Sequence, residues 1–108
     1  MSELPTEKDI GKALNYLAET DQPYAQHCAH VKALEYQVKT IKALVYLEST
    51  GTVADKTALS ESSEVYRAWV TDYEKAYCEM KTIDAKRKRA DLTIEVWRSL
   101  NANRRQGA

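Results

Sequence analysis

Glycine and proline are scarce, three and two in 108 residues, and both prolines lie before residue 24. That leaves little of the turn chemistry a sheet protein needs. No apolar stretch approaches the length of a membrane span, and the first residues lack the apolar core of a secretory signal. Cysteine is limited to Cys28 and Cys78, both inside helical patterns. The chain therefore reads as cytosolic, with reduced thiols. A glycine-rich phosphate loop, an HExxH pair and a CxxC pair are also missing. The carboxylates sit mostly on helix faces among lysines, so neither catalysis nor a cofactor is expected. His27, Cys28 and His30 cluster, but a stable zinc site wants four protein ligands and only distant Cys78 could add one. They read as polar-face histidines and a small core cysteine, with no metal.

An excess of one charge sign is absent overall, with 16 basic and 16 acidic residues. The balance hides a split. Residues 1–80 carry eight Lys/Arg against thirteen Asp/Glu, and residues 81–108 carry eight against three. Such asymmetry is the footprint of an anionic partner, and it equally suits head-to-tail attraction between copies.

What the chain does have is helix former in quantity and apolar residues at helical spacing. The expected fold is all-α, a single helical domain over residues 1–108. A short helix at 6–19 opens on the cap pattern Thr6-Glu7-Lys8-Asp9, with Ile10, Ala13, Leu14 and Leu17 on one face. Thr20-Asp21-Gln22-Pro23 stops it and starts a long helix at 22–49, because proline is tolerated in a first turn. Its face carries Cys28, Val31, Leu34, Val38, Ile41 and Val45, and Gly51 ends it. Residues 52–62 form the corner. A second long helix, antiparallel to the first, spans 63–103, and 104–108 form a frayed basic tail.

Along that last helix, Tyr66, Trp69, Tyr73, Ala76, Met80, Ile83, Arg87, Ala90, Ile94, Trp97 and Asn101 alternate three and four apart, and nine of these eleven are apolar or aromatic. This is a heptad seam. Further strips remain, with Ala29, Tyr36, Ala43, Leu44 and Leu47 on one helix and Val65, Val70, Tyr77, Leu92, Val96 and Leu100 on the other. A lone hairpin covers one strip per helix, so a homo-oligomer is expected, with Trp69, Tyr73, Tyr77, Met80, Ile83, Ile94 and Trp97 at its interface.

The run Lys86-Arg87-Lys88-Arg89 wraps around the seam as a collar. Arg87, Arg98 and Arg105 share a stripe, and guanidinium groups suit phosphates. The competing reading is a solvated face paired with Asp84, Asp91 and the acidic half. Arg87 breaks the seam, so it either pairs with an acid across an interface or faces a surface lined for DNA. The seam aromatics read as packing; Trp97, beside Arg98 and near Arg104 and Arg105, offers a ring on which a base can stack.

Leu34-Glu35-x-Gln37-x-Lys39, Gly51, Leu59-Ser60 and Ala85-Lys86-x-Lys88-Arg89 fall in an order that resembles the T4-type phage recombination mediators over about residues 30–108. The resemblance implies a small, helical, ring-forming protein in the cytoplasm of a bacterial host. It implies binding of single-stranded DNA and help to a RecA-like recombinase in replacing single-strand-binding protein. It places Lys39 and Lys42 on DNA, with Lys86, Lys88 and Arg89 adding to the basic surface. The family's Leu-Lys-Ala-Arg segment is matched only by Ile41-Lys42-Ala43-Leu44, without the arginine. That shifts the expected DNA contact toward Lys86, Arg87, Lys88, Arg89, Arg98, Arg104 and Arg105. The alternative is a helical adaptor or regulatory subunit with no nucleic-acid contact.

Overall fold

The computed structural model describes residues 4–107 and is all-helical among them: α1 (Glu7–Glu48), α2 (Val53–Ser62) and α3 (Glu64–Gly107). None of these helices is long and apolar enough to cross a membrane. Two expected boundaries are corrected. The short helix and the first long helix are one element, because α1 runs through Pro23 without a break. The basic tail is not frayed over 104–107, where α3 continues; Ala108 lies outside the described residues. Arg104 and Arg105 fall in the last turn of α3, where cations offset the helix dipole.

Contacts within the chain gather into two units. The first unit joins the stretch ending at Ala25 to the stretch beginning at Lys81. Its α1 part starts on a reciprocal cap. The Thr6 N–H donates to Asp9 Oδ2 at 2.8 Å, and the Asp9 N–H donates to Thr6 Oγ1 at 3.3 Å. This satisfies donors that the first turn leaves without partners, as the Thr6–Asp9 pattern predicts. Ile10 and Ala13 of α1 and Ala90 of α3 are its buried apolar residues.

The same unit explains the continuity through Pro23. Proline has no N–H for the carbonyl four residues back, and its ring crowds that turn. Here α3 braces the turns before it. Arg87 Nη1 donates to Leu17 O at 2.9 Å and to Thr20 Oγ1 at 2.7 Å, while Nη2 meets Asp21 Oδ1 at 2.6 Å. Tyr24 OH donates to Asp84 Oδ1 at 2.9 Å. Thr20, expected to help stop a helix, instead turns its hydroxyl back to Tyr16 O at 2.7 Å.

The second unit spans Gln26–Met80 and is a hairpin with α2 at its turn. Val31, Leu34 and Ala76 are buried together, with Trp69, Tyr73 and Met80 packed against them. Tyr66, Trp69, Tyr73 and Tyr77 form a ladder along α3, with successive ring centroids 5.8, 5.0 and 5.7 Å apart. Trp69 Nε1 donates to Leu34 O at 2.7 Å, tying the ladder to α1. At the turn, Gly51 takes a φ of 112°, which a side chain would resist. Thr52 and Asp55 cap α2 reciprocally. Ser60 is buried and donates to Lys42 O at 3.1 Å, fastening α2 to α1. Ser63 accepts from the Tyr66 N–H at 3.2 Å, which caps α3.

Candidate nucleic-acid interface

The collar divides by what its residues touch. Arg87 has only 20% of its side chain exposed and is held by α1 of its own unit, with its guanidinium 5.3 Å from the Tyr24 ring centroid. Of the two expected roles, pairing with an acid is the one the geometry matches. That acid lies within the chain, and the guanidinium donates three hydrogen bonds to α1. Lys88 meets Asp84 Oδ2 at 2.9 Å, one helical turn away. This contact first, and the Tyr24 hydroxyl second, hold the Asp84 carboxyl below its ordinary 3.8. Lys86 and Arg89 are exposed on the other side. They border an open groove of about 710 Å³ whose apolar lining includes Pro5, Ala13, Tyr16, Leu92 and Val96.

The end of α3 holds a second grouping. Trp97, Arg98, Asn101, Arg104 and Arg105 line an open cleft of about 490 Å³. Trp97 is half-buried, while the three arginines are exposed. Arg98 bonds to Glu95 Oε1 at 3.1 Å, but both groups are well exposed, and such a pair is readily exchanged for another anion. An aromatic ring and three guanidinium groups thus share one end of one helix.

The remaining predicted residues are placed as follows. Lys39 is exposed on α1, and half-buried Lys42 lies 5.1 Å from the Tyr66 ring centroid. Trp69, Tyr73 and Met80 pack on the core of their own hairpin. Tyr73 OH bonds to Glu35 Oε1 at 3.2 Å, and partial burial first, then Glu35, raises its phenol above the ordinary 10.0. Tyr77 is exposed, and Ile83, Ile94 and Trp97 are half-buried. His27 Nδ1 lies 3.9 Å from Glu79 Oε2. Among the described residues, no group of three His, Cys, Asp or Glu is placed to hold a metal ion. Cys28 is half-buried and Cys78 is exposed.

Sequence reasoning missed Thr20, Asp21 and Tyr24 as partners of Arg87 and Asp84. The polar cluster before Pro23 carried the signal, since a helix stop and a docking site for a cation use the same residue types. Tyr16, and with it the groove, was also missed. Comparison of the chain with protein-family models, curated proteins and solved structures finds no match.

Proposed function

We propose that this chain is a self-assembling helical accessory protein that holds single-stranded DNA, without sequence preference, at the C-terminal end of α3. The observation that carries the reading is the cleft of Trp97 with Arg98, Arg104 and Arg105. Guanidinium groups supply phosphate contacts, and an aromatic face supplies stacking that accepts any base. The order of motifs shared with the phage recombination mediators supports a role beside a RecA-like recombinase and single-strand-binding protein. Of the collar, Lys86 and Arg89 extend the basic surface; Arg87 does not.

The test is an anisotropy titration of a labelled oligonucleotide across salt concentrations. Affinity falls linearly on a log–log plot, and replacing Arg104 and Arg105 by Ala flattens the slope by roughly 0.7 per lost phosphate contact. Trp97→Ala weakens binding by about 1–3 kcal/mol at every salt concentration, because stacking releases no counterions. Absence of binding at low salt refutes the reading.

A second reading, a helical adaptor, is favoured by the groove beside Lys86 and Arg89. Its apolar walls suit a protein helix better than a phosphate chain. Under that reading, Leu92→Asp abolishes partner capture, while Trp97→Ala leaves it intact.

A further inference from the structure

The residues expected to join copies do not all face outward. Trp69, Tyr73 and Met80 are packed inside their own hairpin. Among the apolar surfaces the second unit leaves open, the longest regular one lies on the opposite face of α1. Ala29, Ala33, Tyr36, Thr40, Ala43 and Leu47 alternate four and three apart along it, and every one is exposed. Tyr36 is 63% exposed and Leu47 76%, and Leu44 beside them is 54% exposed. This is a second heptad seam, with no charged residue at any of these positions. Solvent imposes no reason to keep charge off six successive seam positions of a long helix, whereas a helix partner does.

The pattern also selects the partner. Its two ends are equidistant from Val38, and the seam is complementary to itself read backwards. With a second α1 laid antiparallel about an axis level with Val38, Leu47 meets Ala29 of the other copy and Tyr36 meets Thr40. Ala33 meets Ala43. Large side chains then face small ones in each outer layer, which is how facing layers interdigitate at close approach. A parallel pairing stacks Tyr36 on Tyr36 and Leu47 on Leu47, with Thr40 and Ala43 each facing its own copy between them, so large layers meet large and small meet small. We propose that two copies of this chain associate through the outer face of α1 between Ala29 and Leu47, antiparallel and two-fold symmetric.

The flanks agree with this. Lys32 is already paired with Glu35 of its own helix at 3.6 Å. Lys39 approaches its own mate near the axis, on the solvated rim where salt screens the repulsion. Gln37 faces Gln37 on the other flank. A two-fold contact uses the same patch on both copies, so the association closes at the dimer.

The test uses cysteine substitutions in the full chain carrying Cys28→Ala and Cys78→Ser, with no nucleic acid present, so that it is independent of the function proposed above. Ala33→Cys and Ala43→Cys are made separately, and each is checked for unchanged helicity by circular dichroism. Under mild oxidation each variant alone stays uncrosslinked, and an equimolar mixture gives a disulfide-linked dimer. Self-crosslinking of either variant alone indicates parallel pairing and overturns the proposal. Absence of crosslinking in the mixture, with a monomer mass by light scattering, overturns it as well. Ala43→Glu, placed where the unmodified chain is exposed, converts the dimer to a helical monomer; a persistent dimer mass refutes the assigned face.

Discussion

Arg87 bonds a backbone carbonyl, a hydroxyl and a carboxylate of one α1 segment with one planar group. Lysine carries the same charge but cannot hold that fork. Arg87→Lys is expected to lower the urea midpoint by the equivalent of about 1–2 kcal/mol, with an unchanged denaturant slope. Amide exchange should quicken at Thr20–Tyr24, where the lost bonds act. A second residue contributes to acid sensitivity. The carboxyl of Asp84 is depressed in the folded chain, so it contributes stability above the ordinary 3.8 and loses it as pH falls through the folded value. Asp9, depressed by its Thr6 cap, acts in the same direction. Thermal melts followed down through pH 3.8 should show a decline that is shallower in Asp84→Asn. The sequence showed Arg87 as an interruption of a seam and supplied both partner types, an acid and a polar surface. It could not show which segment came within reach, because that depends on the register of α3 against α1.

The elements were legible where periodicity was long and uninterrupted. The seam of α3, the Thr6 cap and the turn at Gly51 all follow from local chemistry and are found where spacing puts them. The failure at Pro23 has one physical reason. Local rules weigh the missing hydrogen bond of proline against nothing, whereas the folded unit sets against it the bonds from Arg87 and the Tyr24–Asp84 contact. Pro23 is thus a standing cost inside α1. Pro23→Ala supplies the absent N–H to the Glu19 carbonyl and removes the ring clash, and it should stabilise the chain by about 1–3 kcal/mol. Calorimetry or urea unfolding reads this directly. A loss of stability would mean that α1 bends at Pro23 in a way that alanine does not reproduce.

For the whole molecule, the strips of apolar residues raise the expectation of assembly, but do not show which strip remains open once the hairpin has closed. Two forces can then join copies, and salt separates them. Head-to-tail attraction between the acidic residues 1–80 and the basic residues 81–108 is Coulombic and is screened within about 3 Å at 1 M salt. Pairing through the uncharged face of α1 is hydrophobic and is not weakened by screening. Under the proposed function, binding of DNA at the end of α3 releases counterions from its phosphates, so its affinity is expected to collapse as salt rises. Light scattering of the protein with an oligonucleotide, taken from low salt to about 1 M, should therefore show two separate events. The oligonucleotide leaves first, and the dimer mass then persists to the highest salt. A mass that falls in step with salt in the absence of DNA would assign assembly to the charge split and remove the outer seam of α1 from the interface.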